Sequence, residues 1–302
     1  MNKPERVSVY EVSLRDGLQN EKGVLPTESK RTLLKALIAS GLKRIELTSF
    51  VSPKWVPQLA DAEEFARAVE VPDDVTLSAL VPNAKGLERA LGTGLPEIAV
   101  FMSASETHNR KNINKSIDRT LEVFDEVVPP ALEKGLRVRA YVSTVWGCPY
   151  EGEIAPARAI EIAVRLADLG CYQVSLGDTI GVGNPRQTEE IVRRALDALP
   201  AEKIALHMHD TRGTALANVV TALNMGIRDF DASVGGMGGC PYAPGASGNL
   251  ATEDLVYLLQ GMGYETAVDL DLLLEAGKIA ERVVGRPLPG KVHQAGPFRV
   301  RA

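Results

Sequence analysis

The chain has 302 residues, a hydrophobic fraction of 45%, a charged fraction of 24% and a formal net charge of −5. This composition is typical of a globular protein with one large domain or two small ones, and without a basic excess we expect no nucleic-acid partner. No apolar run approaches the roughly 18 residues of a membrane helix, and the first residues carry no apolar signal segment, so we expect no membrane partner. Cys148, Cys171 and Cys240 are widely spaced and odd in number, which predicts a reducing, cytoplasmic location.

Eight short runs rich in β-branched residues predict eight strands. In chain order they span residues 6–14, 44–50, 75–81, 97–102, 137–145, 172–178, 203–210 and 229–236. Helical patterns alternate with these runs and span residues 28–40, 56–69, 84–91, 116–135, 156–170, 185–199, 214–226 and 249–261.

Eight strand–helix units in about 260 residues predict a (β/α)8 TIM barrel of the α/β class. A doubly wound open sheet is the alternative, but the chain has no glycine fingerprint for a nucleotide. No linker divides the chain, so we expect a single catalytic domain over residues 1–302. The barrel is predicted at about 6–260, and a short C-terminal helical appendage, with one helix and an extended tail, at about 261–302.

In TIM barrels the chemistry takes place where strands end and the following loops begin. The polar residues at these predicted positions are Arg15 and Asp16 after strand 1, Glu46 in strand 2, Asp178 at the end of strand 6, His207 and His209 in strand 7, and Asn249 after strand 8. They are the candidate site residues.

The sequence His207-Met208-His209 is the most specific of these signals. Residues two apart on a strand face the same side, so both imidazoles converge on one point. Two unrelated histidines, one in the core and one exposed, are the alternative interpretation. The carboxylate of Asp16 at the same rim favours a metal site, and two histidines, a carboxylate and an amide oxygen suit Mg²⁺, Mn²⁺ or Co²⁺, with Zn²⁺ as the alternative.

Arg15 is a fixed cation beside this predicted metal site, where it would stabilise an enolate or a thioester oxygen. A structural salt bridge, for example to Glu46, is the alternative role, and both roles are compatible. Neighbours on a regular strand face opposite ways, so Arg15 and Asp16 reach one site only if the chain leaves the pleat there. Gly17, which follows them, makes such a departure feasible.

The segment GGMGGCPYAPGASGN, residues 235–249, holds six glycines, two prolines and Cys240. Such a composition is not typical of core packing, and on a barrel rim it predicts a loop that covers an active site. A thiol in this loop would give or take a proton. A small buried hydrophobic residue is the alternative role for Cys240, and it is the role we expect for Cys148 and Cys171.

Five segments together resemble the 3-hydroxy-3-methylglutaryl-CoA lyase family, over roughly residues 6–300. They are EVSLRDGLQNE (11–21), RIELTSFVSPKWVPQLAD (44–61), SLGDTIGVGNP (175–185), LHMHDTRGTALAN (206–218) and GGMGGCPYAPGASGNLATED (235–254). The Arg-Asp and His-x-His pairs are shared across a wider group of metal-dependent TIM-barrel lyases and synthases. The glycine loop with Cys240 is much more specific to the lyases.

The resemblance implies a role for each candidate residue. Arg15 would bind the acyl group and stabilise the enolate, Glu46 would support Arg15, and Cys240 would be the loop thiol required for turnover. Asp178 would lie near the substrate hydroxyl, and either Asp178 or His207 would take its proton. The implied ligands of a divalent metal, most readily Mg²⁺ or Mn²⁺, are Asp16, His207, His209 and Asn249.

The resemblance implies cleavage of 3-hydroxy-3-methylglutaryl-CoA to acetyl-CoA and acetoacetate, a step of leucine degradation and ketone-body formation. The alternatives are cleavage of a related 3-hydroxyacyl-CoA and a Claisen-type synthase of the same group. A non-catalytic metal-binding or acyl-CoA-binding barrel is a further alternative, which the full set of polar residues argues against. The resemblance also implies a homodimer, although the sequence shows no interface.

Overall fold

The computed structural model describes residues 5–239 and 248–299. Eight parallel strands form a closed barrel in which each strand pairs with the next and β8 pairs with β1. The strands are β1 Ser8–Glu11, β2 Arg44–Ser49, β3 Thr76–Leu80, β4 Glu97–Ser103, β5 Arg137–Ser143, β6 Gln173–Asp178, β7 Ile204–Met208 and β8 Asp229–Ala232. The predicted TIM barrel is confirmed, and the open sheet is excluded.

Helices alternate with the strands and surround the barrel. They are α1 Thr27–Ala39, α2 Ala62–Arg67, α3 Ala84–Leu91, α4 Glu106–Ile113, α5 Ile117–Asp125, α6 Val128–Glu133, α7 Pro156–Asp168, α8 Pro185–Ala198, α9 Ala215–Asn224, α10 Thr252–Gly261, α11 Leu270–Val284 and α12 Lys291–Ala295. In the described ranges, none of these helices is long and apolar enough to span a bilayer.

The structure differs from the sequence prediction in three helical regions, for local reasons. The helix expected over 116–135 is two helices, because Pro129 and Pro130 lack the amide hydrogen that helix continuation requires. Helix α4 lies in a segment with little apolar periodicity, where Ser105 caps it by accepting a hydrogen bond from the His108 amide. The tail after α11 is not wholly extended, since it contains the short helix α12.

Strand β1 is also shorter than expected. It ends at Glu11, and residues Ser13–Gly17 form a single π-helical turn. The Val12 carbonyl accepts hydrogen bonds from the amides of Arg15, Asp16 and Gly17, at 3.2, 2.8 and 3.2 Å. The expectation that strand 1 runs to Leu14 is therefore wrong.

The apolar core lies between the barrel and its helices, whereas the barrel interior contains buried polar groups. Arg139 on β5 is fully buried and forms an ion pair of 2.6 Å with Asp231 on β8. The rings of Tyr10 and Tyr141 lie 4.1 and 4.9 Å from its guanidinium carbon. This charged layer lies beneath the carboxyl ends of the strands, where the candidate site residues meet.

Candidate active site

The π-helical turn after β1 directs Arg15 and Asp16 to the same end of the barrel. Had the strand continued, the two neighbours would have faced opposite sides. The turn is held by Glu11, which is fully buried and accepts hydrogen bonds from the amides of Ser13 and Val234 and from the hydroxyl of Thr252, at 2.9, 3.0 and 2.6 Å. Glu11 thus links the turn to the segments on both sides of the glycine loop, and sequence reasoning missed it.

Arg15 is buried between two carboxylates. Its Nε atom donates to Oε2 of Glu46 at 2.6 Å, and its Nη1 atom donates to Oδ1 of Asp16. Burial disfavours the charged guanidinium, but the carboxylates of Glu46 and Asp16 outweigh it and raise the pKa of Arg15 above its ordinary value. Arg15 is therefore a permanent cation with a fixed position, and the salt bridge to Glu46 that was considered for it is present.

The side chains of Asp16, His207 and His209 form one cluster. Their ligand atoms lie within 4.8 Å of one another, and the Nε2 atoms of the two imidazoles are 3.2 Å apart. Burial, followed by the neighbouring imidazole, lowers the pKa of His209 to about 3, so its ring is neutral and offers a lone pair. The structure thus brings the two histidines of the predicted strand 7 together with the carboxylate that follows strand 1.

Asn249 completes the cluster from the segment after the glycine loop. Its Nδ2 atom donates to Oδ2 of Asp16 at 2.7 Å and to the Met237 carbonyl at 3.0 Å. Its Oδ1 atom and the Nδ1 atom of His209 are buried without a hydrogen-bond partner in residues 5–239 and 248–299. Such orphaned groups are costly, and a carboxylate, an amide oxygen and two imidazoles fit a divalent cation.

A cavity of about 830 Å³ opens onto this cluster. Arg15, Asp16, His207 and His209 line it together with Tyr141, whose ring lies 5.4 Å from the Arg15 guanidinium carbon. Its other lining residues include apolar and cationic side chains, among them Trp55, Phe101, Arg110, Lys111 and Lys115. The cavity can accept an elongated ligand with a polar end at the cluster.

Asp178 is not among the residues that line this cavity. Ser175, Gly177 and Thr179 line it, so the alternation along β6 directs the side chain of Asp178 to the other side. Its Oδ1 and Oδ2 atoms accept hydrogen bonds from the amides of Val182 and Gly183, at 3.0 and 2.8 Å. The structure places Asp178 as the anchor of the loop after β6, apart from the other candidate residues.

Cys240 lies outside the described residues. The preceding stretch shows why one glycine is needed near the site: Gly238 has a φ of +105°, and a Cβ atom there would lie 2.7 Å from Nδ2 of Asn249. Glu253, at the start of α10, accepts a hydrogen bond of 2.7 Å from the Gly235 amide. Both ends of the glycine-rich segment are therefore fixed close to the cluster.

Sequence reasoning also missed Tyr141, Arg139 and Asp231, all of which lie on strands. For Arg139 and Asp231 the available signal was a charged residue within a run of strand-forming residues, since an inward-facing charge in a barrel needs a partner. Cys148 and Cys171 are buried, as expected.

Comparisons with known proteins show the family of the chain. The HMGL-like family model matches residues 6–280. Hydroxymethylglutaryl-CoA lyase of Bacillus subtilis is 53% identical over 95% of this chain and 96% of its own, and the mitochondrial lyase of Bos taurus is 50% identical over 97% and 90%. A solved HMG-CoA lyase from Acinetobacter baumannii, in complex with coenzyme A and 3-methylmalate, is 38% identical with a TM-score of 0.94, over 98% of this chain and 97% of that one. The chain therefore belongs to the HMGL-like family and, at this identity and coverage, to its hydroxymethylglutaryl-CoA lyases.

Proposed function

We propose that the chain cleaves 3-hydroxy-3-methylglutaryl-CoA to acetyl-CoA and acetoacetate by a retro-Claisen reaction. The observation that carries this proposal is the position of the Arg15 guanidinium beside the cluster of Asp16, His207 and His209 in one cavity. The relatives named above support the substrate, and the complex of one of them with coenzyme A supports an acyl-CoA ligand.

A divalent cation, Mg²⁺ or Mn²⁺ in our proposal, would be held by Asp16, His207, His209 and Asn249. When bound there, such a cation acts as a Lewis acid that makes the tertiary hydroxyl of the substrate more acidic and orients the acyl group. The proposal rests on the donor set and on the buried Oδ1 atom of Asn249, which has no hydrogen-bond partner among the described residues.

Cleavage begins when the tertiary hydroxyl loses its proton. The carbon–carbon bond to the CH₂ group next to the thioester then breaks, its electron pair moves onto the thioester as an enolate, and acetoacetate is released as the ketone. Arg15 is fixed to stabilise the negative enolate oxygen through its guanidinium. A proton delivered to the enolate carbon gives acetyl-CoA, and we assign this delivery to the thiol of Cys240.

Of the two candidate bases, His207 lines the cavity, whereas the carboxylate of Asp178 is directed away from it. We therefore assign proton acceptance to His207 and loop anchoring to Asp178. The Nε2 atom of His207 faces the cluster and has a single lone pair, so His207 would accept the proton only while that lone pair does not hold the cation. Glu46 holds Arg15 and does not reach the substrate in this assignment.

Three finer points remain predictions, the first from the cysteine pattern and the other two from the family resemblance. They are a cytoplasmic location, a homodimeric assembly and a place in leucine degradation and ketone-body formation. None of them is needed for the chemistry proposed above.

A substrate panel tests the reaction and its alternatives. The purified chain with Mg²⁺ is given 3-hydroxy-3-methylglutaryl-CoA, 3-hydroxybutyryl-CoA and, in the joining direction, acetyl-CoA with several 2-oxo acids. We expect cleavage of the first substrate only. Cleavage of 3-hydroxybutyryl-CoA at a similar rate, or condensation with a 2-oxo acid, would overturn the assignment.

A further inference from the structure

Asp231, which forms a buried ion pair with Arg139, also contacts a histidine of the cluster. The Oδ2 atom of Asp231 lies 3.2 Å from Nδ1 of His207, and Asp231 is only 2% exposed. The other imidazole lacks such a contact, because Nδ1 of His209 has no hydrogen-bond partner among the residues that the structure describes. The two histidines are therefore held in different ways.

The carboxylate of Asp231 forms an ion pair with Arg139, and both of its oxygens accept hydrogen bonds. Arg139 donates to Oδ1 at 2.6 Å and to Oδ2 at 3.3 Å, and the hydroxyl of Ser175 donates to Oδ2 at 2.8 Å. An ionised carboxylate is only an acceptor, so the contact with His207 requires a hydrogen on Nδ1. A neutral imidazole with its hydrogen on Nδ1 carries its lone pair on Nε2, which is the atom that faces His209.

We propose that Asp231 is a positioning residue that fixes His207 with its hydrogen on Nδ1 and so directs the Nε2 lone pair into the cluster. Histidine ligands commonly donate their second ring hydrogen to a carboxylate in this way, and loss of that partner typically costs about 10- to 100-fold in metal affinity. Arg139 keeps the carboxylate charged and fixed in place. The inference rests on the proposed function in one respect, namely that a cation would bind this lone pair.

The substitution Asp231→Asn tests the tautomer directly. The amide oxygen would face Arg139, which only donates, and the amide NH₂ group would then face Nδ1 of His207. That arrangement moves the ring hydrogen to Nε2, as an aspartate-to-asparagine change does next to the histidine of a serine-protease triad. Nε2 would then have no lone pair for a cation.

Mn²⁺ binding to the metal-free protein, measured by titration calorimetry without substrate, gives the readout. We expect Asp231→Asn to weaken binding about 10- to 100-fold. Ser175→Ala is the matched control, because it removes another hydrogen bond to the same Oδ2 atom but keeps the carboxylate, and its affinity should stay within about twofold. Unchanged affinity in Asp231→Asn would overturn the inference.

A second measurement does not depend on the folding of a variant. In the unsubstituted, metal-free protein with ¹⁵N-labelled histidine, the shifts of His207 should show a protonated Nδ1 and an unprotonated Nε2. The opposite tautomer would overturn the inference. Failure of the unsubstituted protein to cleave its substrate would instead count against the proposed function and leave the tautomer result intact.

Discussion

The Nε atom of Arg15 donates a hydrogen bond of 2.6 Å to Oε2 of Glu46, and both side chains are buried. Arg15 comes from a turn that follows β1, and Glu46 comes from the middle of β2, so the pair joins neighbouring strands at the mouth of the barrel. A cation held in this way needs little reorganisation when negative charge develops on a substrate, which is the physical basis of electrostatic catalysis.

Replacement of Arg15 by Met should lower kcat by about 100- to 1,000-fold, because removal of a preorganised charge-stabilising group typically has this effect. Arg15→Lys should recover only part of the loss, since an ammonium lacks the planar fork that contacts both Glu46 and Asp16. Steady-state rates of acetoacetate release would measure both effects. The matched control is Arg44→Met, which breaks a 2.7 Å ion pair with Asp229 at the opposite end of the barrel. A kcat for Arg15→Met equal to that of the control would refute the role of Arg15.

Replacement of Glu46 by Gln should lower kcat about 10- to 100-fold and leave Mn²⁺ affinity unchanged. The substitution removes the negative charge that faces the guanidinium and so weakens a charge-assisted hydrogen bond, which is worth about 1.5–3 kcal/mol when intact, and it leaves Asp16 as the one carboxylate that Arg15 contacts among the described residues. Paired measurements of turnover and of Mn²⁺ titration separate the two properties. A fall in Mn²⁺ affinity with unchanged turnover would show that Glu46 serves the cluster and not Arg15.

Replacement of His209 by Ala should abolish tight Mn²⁺ binding without unfolding the chain, with a loss larger than the roughly 100-fold that a supporting residue causes. His108→Gln is the control, because His108 also lines the cavity but is not part of the cluster. Titration of the metal-free proteins, with circular dichroism as the check on folding, would decide. Equal affinities in the two variants would remove His209 from the ligand set.

Glu253 gives a prediction about stability and pH. Burial raises the pKa of its carboxyl from 4.5 to about 8. Below about pH 4.5 the group is protonated in both the folded and the unfolded chain and adds no pH dependence. Between pH 4.5 and 8 the unfolded chain releases the proton while the folded chain retains it, so the free energy of unfolding falls by about 1.4 kcal/mol per pH unit from this group.

Glu253→Gln mimics the protonated acid and should remove this contribution. Urea unfolding at pH 5, 6, 7 and 8 would show it, as a difference between the two proteins that grows with pH in favour of the variant. Glu275→Gln, on the exposed surface of α11, is the control and should follow the unsubstituted chain. A constant difference between Glu253→Gln and the unsubstituted chain would contradict the raised pKa.

Cys240→Ser should fold, bind Mn²⁺ normally and lose most of its turnover. This prediction comes from the sequence, because Cys240 lies outside the described residues. Cys171→Ser is the control: its thiol is buried in the core, and burial raises its pKa to about 12, so it has no role in proton transfer. Near-normal turnover in Cys240→Ser would show that another group protonates the enolate.

The barrel was predictable because eight strand–helix units repeat along the chain with clear apolar periodicity. The convergence of His207 and His209 followed from the two-residue period of a strand. From the sequence, Arg15 and Asp16 could be expected at one site only if the chain left the strand pleat there. It does so through a π-helical turn, in which the Val12 carbonyl accepts hydrogen bonds from three amides. Such a turn has no composition signal beyond the nearby Gly17.

Two other features depend on contacts between distant strands. Asp231 contacts His207 only because β7 and β8 are neighbours in the closed barrel, with His207 paired opposite Asp231. Asp178 stands at the end of β6 as predicted, but its direction was decided by the strand's register and by the two amides of the following loop. A single sequence gives the residue types at the rim but does not specify which side chains face the cavity.

Acetoacetate release from metal-depleted protein is the measurement that tests the central claim most directly. The unsubstituted chain and His209→Ala, both stripped with EDTA, are given 3-hydroxy-3-methylglutaryl-CoA before and after addition of Mg²⁺ or Mn²⁺. We expect no release without metal, rapid release from the unsubstituted chain once metal is added, and none from the variant. Equal release by both proteins, or release that is insensitive to EDTA, would contradict a cleavage reaction that depends on the cluster of Asp16, His207, His209 and Asn249.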